Sequence, residues 1–370
     1  MKYLRYLLIF VPLAALAEFA LHNPLLIFIF SCIGLVPLAG LLGEATEELA
    51  IHTGPKIGGL LNATLGNAAE LIITIVALSA GKYELVKASI TGSILGNLLL
   101  ILGLSLLLGG LKHGIQSFDR TTVSMSASMM TLAVIGLIIP TLFETLRQID
   151  HGQLNVFQTE VHDTQLDALS LGVAAVLILL YILSLIFLFR QPQDSASGVD
   201  DHSEEQRQGH HAKWSVAQSS AVLAVCTLAI VFLSEFLVGA VEPVVASLGV
   251  SELFLGIIII PIVGNVAEHI VGVQVAYKNK MDLSLGISLG SSMQIALFVA
   301  PLLVFISLLF GPEMTLFFSL FEVAALTLSV LLATLVAIDG RSNWLEGAQL
   351  LAVYVIIALG FFYIMPGAAH

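Results

Sequence analysis

The sequence predicts an all-α polytopic membrane protein with about eleven transmembrane helices, arranged as an inverted repeat of five plus five helices after an N-terminal helix. Three observations carry this prediction. The chain is 58% hydrophobic and only 11% charged, with a mean hydropathy of +0.99, whereas soluble domains are about one quarter charged. Apolar runs long enough to cross a bilayer recur along the whole chain. The pattern Gly-Asn-x-Ala-Glu occurs twice, at residues 66–70 and 264–268.

Ten apolar runs define helices 2 to 11, because a helix needs about 20 apolar residues to cross about 30 Å of hydrocarbon. The runs without any charge lie at 24–43, 88–111, 121–143, 168–189, 214–234, 283–312 and 347–369. Three further runs carry one acid each: 57–81 with Glu70, 253–277 with Glu268 and 314–338 with Glu322. The N-terminal segment supplies the first helix.

The first residues, "MKYLRYLLIFVPLAALA", fit two interpretations. A basic start, a short apolar core and an Ala-Leu-Ala end are typical of a secretory signal peptide. The same stretch also fits a retained helix that continues through Glu18 to about Leu21. We expect the retained helix, and either interpretation leaves the orientation of the remaining chain unchanged.

The basic residues predict the orientation in the membrane. With the N-terminus in the cytoplasm, eleven of the 14 Lys and Arg residues lie on the cytoplasmic side, and only Lys82, Lys87 and Arg147 lie outside. Cytoplasmic loops carry such an excess of positive charge. We therefore expect an integral membrane protein with a cytoplasmic N-terminus, in the plasma membrane of a bacterium, although an organelle membrane stays open.

An internal repeat relates the two halves of the chain. Residues 66–93 and 264–291 align without a gap at an offset of 198 and agree at nine of 28 positions, several of them polar. Because each copy has five helices, an odd number, the second copy enters the membrane upside down. Inverted repeats of this kind are the architecture of many secondary transporters. The predicted divisions are an N-terminal helix (1–22), a first repeat (23–190), an acidic cytoplasmic linker (191–213) and a second repeat (214–370).

Glu70 and Glu268 are the main candidates for a functional site. An ionised carboxylate inside a membrane is costly and usually faces a cavity where it has a role. Asn67 and Asn265 each precede a glutamate by three residues, which places both side chains on one helical face. Pro261 frees a backbone carbonyl just before the second copy. Carboxylate, amide and carbonyl oxygens form a hard ligand set that suits calcium.

The helices that follow each glutamate carry further polar side chains. Helix 4 has Ser93 and Asn97 one turn apart, and helix 9 has Ser291 and Gln294 on one face. Small polar residues in membrane helices also serve interhelical packing. For the serines both roles stay open, whereas we expect Asn97 and Gln294 to line a cavity.

The remaining acids give weaker signals. Glu322 and Glu235 fit either an ion path or helix packing. Glu44, Glu47 and Glu48 fit either an acidic vestibule or plain solvation. The linker at 191–212 is rich in Ser, Gly, Gln, acids and His. It fits a solvated connection, and a low-affinity attraction of cations is the alternative.

At these residues the chain resembles the calcium/proton antiporters within the cation/calcium exchanger superfamily. The resemblance rests on the two Gly-Asn-x-Ala-Glu motifs, on "GSSMQIALFVAP" and on "DGRSNWLEG". It implies an eleven-helix carrier in which Glu70 and Glu268 are paired calcium ligands. It also implies that the cation cavity is lined by Asn67, Asn265, Ser93, Ser291, Ser292 and Gln294. His269 matches the second motif of that family, and a proton role or a simple hydrogen bond both fit it.

The sequence therefore favours exchange of calcium for protons by alternating access. Two close, buried carboxylates repel each other and lose hydration, so we expect them to bind protons when no metal is present and to release them to calcium. Sodium-coupled exchange, manganese transport and a passive cation channel are the alternatives, and the sodium-exchanger pattern Gly-Thr-Ser-x-Pro-Glu is missing. We expect no enzyme, no cofactor and no nucleic-acid partner. The oligomeric state, including a homo-oligomer, stays open.

Overall fold

The structure, a computed structural model, describes residues 4–152, 163–190, 212–311 and 313–363. Within these residues the chain forms eleven helices and one short strand pair. The helices are α1 (Leu4–Leu21), α2 (Pro24–Leu65), α3 (Ala68–Ser79), α4 (Tyr83–His113), α5 (Arg120–Asp150), α6 (Thr164–Arg190), α7 (Val216–Leu248), α8 (Glu252–Tyr277), α9 (Met281–Ser307), α10 (Leu320–Ala337) and α11 (Trp344–Tyr363). The strands β1 (Gln116–Ser117) and β2 (Arg341–Ser342) pair antiparallel.

The predicted all-α membrane architecture is confirmed. Ten helices in the described part of the chain are long and apolar enough to cross a membrane, and α3 is a shorter apolar helix. Several helices begin at a side chain that accepts hydrogen bonds from the first free N–H groups. Asn23 does this for α2, Ser215 for α7 and Ser251 for α8. Polar residues between apolar runs therefore fix where these helices start.

The predicted single helix over 57–81 is wrong. The chain instead continues α2 to Leu65, through a kink at Gly54, and starts α3 at Ala68 after a turn at residues 66–67. Gly54 has φ 81° and ψ 171°, a conformation that is essentially restricted to glycine. The first motif therefore lies at a helix start rather than inside a continuous helix.

The second motif lies within a continuous helix, α8, as the apolar run at 253–277 predicted. A π-helical turn, Leu255–Ile259, precedes the proline inside α8. Proline has no N–H for the carbonyl one turn earlier, and a π turn accommodates this locally without ending the helix. The two copies of the motif therefore have different backbone settings.

The segment before α10 is extended and buried, which corrects the predicted helix over 314–338. Its alternate N–H groups donate to hydroxyls of other residues: Met314 to Ser307 (2.8 Å), Leu316 to Ser170 (3.1 Å) and Phe318 to Thr141 (2.9 Å). Non-helical backbone inside a membrane protein needs such partners. Apolar side chains alone predicted a helix here, because the hydroxyls come from distant parts of the sequence.

The chain forms two compact units. The first comprises residues 1–89, 200–270 and 358–370. In it α2 lies along α7, α3 packs on α7, and α1 packs on α2. The α1–α2 contact includes the Phe10 and Phe30 rings, whose centroids are 5.5 Å apart, and an ion pair between Arg5 and Glu44 of 2.8 Å.

The second unit comprises residues 90–199 and 271–357. In it α5 packs on α9 and α10. Helices α4 and α11 approach so closely that a Cβ on Gly103 would lie 3.1 Å from the Gly347 oxygen. Each unit contains helices from both predicted repeats. The predicted division of the chain at 23–190 and 214–370 describes the repeat, and it stays a prediction.

Candidate cation site

The first compact unit brings Glu70, Glu268 and Asn265 together. Glu70 is the third residue of α3 and is only 3% exposed. The Asn265 side chain makes a hydrogen bond to the Glu70 carboxylate, and Glu268 is near enough for the two acids to interact electrostatically. One acid comes from each copy of the repeat. A buried pair of carboxylates with an amide partner therefore forms across two helices, α3 and α8.

Gly264 allows these two helices to approach. A Cβ built on Gly264 would lie 3.9 Å from the Glu70 Cβ and 3.8 Å from the Ile73 Cδ1. Those are ordinary contact distances, so any larger side chain would enter the space beside the carboxylate. The glycine of the second motif thus keeps α8 close to α3 at the level of the acids.

The helix start of α3 also acts on Glu70. Asn67 is the residue before α3 and is buried, with 4% of its surface exposed. Glu70 lies in the first turn, where the unpaired N–H groups give the helix a partial positive charge. The first turn of α3 therefore places the Glu70 carboxylate in a positive field beside a second acid.

His269 follows Glu268 on α8 and is half-buried. Its Nε2 atom is buried and makes no hydrogen bond to any residue within the described part of the chain. The structure therefore supplies no protein partner for this ring nitrogen, and the predicted proton role of His269 stays a prediction.

The second unit contains another polar set, from α4 and α9. The Asn97 amide nitrogen donates to Ser291 Oγ over 2.9 Å. The side-chain oxygen of Asn97, Oδ1, is fully buried and has no hydrogen-bond partner among the described residues. Ser93, Ser292 and Gln294 are also buried, and Ser292 donates to the carbonyl of its own helix at Ser288 (2.9 Å). The prediction that Asn97 and Gln294 serve a cation stays a prediction.

A π-helical turn accompanies this set in both helices. It spans Gly96–Ile101 in α4 and Ile295–Val299 in α9, which are equivalent positions at the repeat offset of 198. Such turns are frequent at functional sites because they alter the backbone hydrogen bonding locally. Pro301 provides a sequence signal for the turn in α9, but α4 has no proline near its turn. The sequence therefore indicates the π-helical turn in α9 but not the one in α4.

The weaker candidates have varied surroundings. Glu322 is fully buried, forms a capping box with Ser319 at the start of α10, and accepts a hydrogen bond from Thr91 over 3.0 Å. These contacts favour the packing role over the ion path. Glu44 is half-buried and pairs with Arg5, while Glu47 is exposed.

Glu48 and Glu235 are two further acids outside the Glu70–Glu268 pair. Glu48, the third acid of the predicted vestibule, accepts hydrogen bonds from the backbone N–H groups of Lys213 (2.8 Å) and Trp214 (3.2 Å). It therefore anchors the end of the linker to α2, a role that the sequence did not reveal. Glu235 is exposed and lines a cleft beside α3. The acids of the linker at 200–205 lie outside the described residues.

No group of three or more His, Cys, Asp or Glu side chains within the described ranges is arranged to hold a metal ion. Cys32 and Cys226 are both buried and not joined in a disulfide, as expected for core thiols. The described acids therefore offer a pair of carboxylates supplemented by amides, rather than a compact cluster of charged ligands.

Comparison with known proteins agrees with this architecture. A family model described as sodium/calcium exchanger protein matches residues 23–190 and 219–363. A Ca(2+)/H(+) antiporter of Aphanothece halophytica is 42% identical over 369 residues, with 96% of this chain and 95% of that protein covered. The Ca(2+)/H(+) antiporter ChaA of Bacillus subtilis is 41% identical, with 95% and 96% covered.

This chain also resembles a solved structure of native YfkE, with a TM-score of 0.81 and 38% sequence identity. The match covers 98% of this chain and 99% of that structure. The similarity thus extends over nearly the whole chain in sequence and in fold, as the two motifs predicted. The chain belongs to the sodium/calcium exchanger protein family and, within it, to the group whose relatives are named calcium/proton antiporters.

Proposed function

We propose that this protein exchanges calcium for protons across a membrane, by alternating access to a site built on Glu70 and Glu268. The observation that carries the proposal is the buried Glu70 carboxylate, hydrogen-bonded by Asn265 and facing the charge of Glu268. The names of the relatives support calcium and protons as the exchanged ions. The two family matches, one to each half of the chain, support a carrier made of two repeats.

The ligand chemistry supports a hard divalent cation. Two carboxylates can supply up to four oxygens, and an Asn that donates through its nitrogen can bind a cation through its carbonyl oxygen. When both carboxylates are ionised, the pair carries a net charge that one calcium ion would neutralise. Further oxygens then have to come from amides, hydroxyls, backbone carbonyls or water.

Exchange follows from competition for the same oxygens. Without a cation, two buried carboxylates in a low-dielectric setting repel each other, so the protonated pair is favoured. A bound calcium ion favours the ionised pair and releases the protons. If the carrier changes its open side only when the pair is neutral, it moves calcium one way and protons the other. The protonation belongs to the pair and is not divided between the two residues.

The proposed site includes residues that the resemblance and the motifs single out. The proposed cation-binding and proton-binding residues are Glu70, Glu268, Asn67, Asn265, Ser93, Asn97, Ser291, Ser292 and Gln294, with Glu70 and Glu268 as the metal ligands. His269 is a proposed proton carrier. Glu235, Glu44 and Glu47 are proposed for the access paths, whereas the contacts of Glu322 support a role in helix packing.

We also propose the setting of the protein. The distribution of Lys and Arg supports a cytoplasmic N-terminus, and the bacterial relatives support a plasma membrane. Calcium and protons are the proposed exchanged ions, with no resident cofactor.

Calcium uptake into proteoliposomes with an imposed proton gradient, without sodium, tests this function. We expect uptake that a protonophore abolishes and that Glu70→Gln or Glu268→Gln removes. Uptake that ignores the proton gradient but follows a sodium gradient would assign the protein to the sodium-coupled exchangers. Flux at channel-like rates without any counter-gradient would reject antiport altogether.

A further inference from the structure

An ion pair joins α7 to the turn that follows α3 in the first unit. Lys82, three residues after the end of α3, pairs with Glu242 of α7. The Lys82 side chain is 23% exposed and the Glu242 side chain is 69% exposed. The charge distribution predicts this end of both helices to face outward, away from the cytoplasm.

Both residues of the pair line a cleft of about 320 Å³ between α3 and α7. On the α3 side the cleft is lined by Val76 and Ser79, and on the α7 side by Glu235 and Glu242. Val76 is half-buried, while Ser79 is exposed. Ser79 therefore lies at the exposed end of the cleft, and Val76 lies about one turn nearer to Glu70 along α3.

The repeat gives Glu242 a counterpart with a different partner. At the offset of 198, Glu242 of α7 corresponds to Glu44 of α2. Glu44 pairs with Arg5 of the N-terminal helix, whereas Glu242 pairs with the end of α3. The two equivalent acids therefore have different partners. On the predicted outer side, Glu242 pairs with Lys82, just after the helix that carries Glu70. On the predicted inner side, Glu44 pairs with Arg5 of α1.

Helix α3 links the pair to the candidate site. Glu70 and Ser79, the last residue of α3, are nine residues apart, a separation of roughly 14 Å at 1.5 Å per residue, and Lys82 follows in the turn after the helix. A contact that holds the outer end of α3 against α7 also restrains the helix that carries a proposed cation ligand. Its rupture frees that end without any change in the ligands themselves.

We propose that the Lys82–Glu242 pair is the outer gate of the transporter, which holds the outer end of α3 near α7 and so narrows the cleft between them, and which separates when the outer side becomes accessible. The inference rests on the proposed transport function for its purpose, but its geometry stands on the ion pair and the cleft. An exposed pair of this kind changes an equilibrium by up to about fivefold. That range is enough to shift the populations of two access states of similar free energy.

Labelling of a cysteine inside the cleft tests the gate. Val76→Cys is exposed to a membrane-impermeant maleimide added from outside to intact cells, with and without Lys82→Gln or Glu242→Gln. We expect either gate substitution to raise the labelling rate about two- to fivefold. The charge swap Lys82→Glu with Glu242→Lys should return the rate to that of the intact pair, because the swap restores the attraction.

Three controls accompany the measurement. Ser79→Cys, at the open mouth, should be labelled at the same rate with and without the gate substitutions. Asp163→Asn, which breaks a different, half-buried ion pair with Arg147 (2.7 Å), should leave Val76→Cys labelling unchanged. The protein without an added cysteine gives the background, which we expect to be low because Cys32 and Cys226 are buried.

Unchanged labelling of Val76→Cys in both gate variants would overturn the proposal, and so would a swap that labels as fast as the single variants. If the single variants fail to fold, the charge swap alone decides. Labelling of Val76→Cys at the rate of the intact pair supports the gate, and faster labelling contradicts it. Labelling needs no ion transport, so a protein that does not exchange calcium for protons could still pass this test. Failure of the gate and failure of the proposed function are therefore distinguishable.

Discussion

At the scale of single residues, the sequence was most informative where a charged residue lies within an apolar run. Glu70 and Glu268 stand out because a charge in an apolar run is costly, and the structure brings both into one unit. The partner of Glu70 could not be predicted. Asn265 is 195 residues away and belongs to the other repeat, and only the packing of α8 on α3 makes the hydrogen bond.

Asn265→Ala should weaken calcium transport without unfolding the protein. The substitution removes a hydrogen bond to a carboxylate, a contact that contributes about 1.5–3 kcal/mol, so we expect the KM for calcium to rise about tenfold or more. Initial rates of calcium uptake across a range of concentrations measure this. Asn62→Ala, at an exposed position of α2, is the control and should keep the KM of the unaltered protein. An unchanged KM in Asn265→Ala would contradict the assigned contact.

Gly54→Ala should destabilise the protein, because φ 81° with ψ 171° is strained for any residue with a Cβ. We expect a loss of about 1–3 kcal/mol in the free energy of unfolding, seen as a lower melting temperature in detergent. Gly43→Ala lies in a helical part of the same helix and has no atom within 4 Å of the added Cβ. It should be neutral or slightly stabilising. Equal melting temperatures for both variants would show that the kink is not required.

At the scale of helices and segments, long apolar runs were predicted well and interruptions were not. The run at 168–189 became α6 with slightly shifted ends, whereas α7 continues well beyond the run at 214–234, to Leu248. The run at 57–81 is broken at residues 66–67, and 314–338 loses its first six residues to a non-helical segment. Hydropathy shows that a segment is apolar enough to leave water. It does not show which residues accept hydrogen bonds from the backbone N–H groups of that segment.

Thr141→Val should lower the melting temperature, because it leaves the Phe318 N–H buried without its acceptor. The expected loss is about 1–3 kcal/mol, although valine has nearly the shape of threonine. The matched control is Thr131→Val in the same helix. Thr131 is exposed and donates only to the carbonyl of Ala127, over 2.8 Å. If the two variants melt at the same temperature, the extended segment does not depend on that hydroxyl.

Gly347→Ala should disturb the crossing of α4 and α11. The added Cβ would lie 2.6 Å from the carbonyl oxygen of Gly103, which is backbone and cannot rotate away. Overpacking of this kind costs about 1–3 kcal/mol. Thermal unfolding should show a lower melting temperature for Gly347→Ala than for Gly172→Ala, an exposed position of α6 with open space around the added atom. A higher or equal value for Gly347→Ala would reject the close approach.

At the scale of the whole molecule, the repeat could be predicted from nine shared positions, but the compact units could not. Each unit takes helices from both copies, so that α3 of the first copy and α8 of the second contribute one acid each to the same unit. An offset in sequence reveals that two segments are equivalent. It does not reveal which helices pack together, because that depends on the apolar faces that each helix buries.

The most direct test of the central claim is the release of protons when calcium binds to the purified protein in a weakly buffered solution with a pH indicator. We expect calcium to displace protons from the intact protein, and neither displacement nor tight binding of radioactive calcium in Glu70→Gln or Glu268→Gln. Lowering the pH should weaken calcium binding in the unaltered protein, because protons occupy the same oxygens. Tight calcium binding without proton release, or release that survives both substitutions, would contradict a shared site on the two carboxylates.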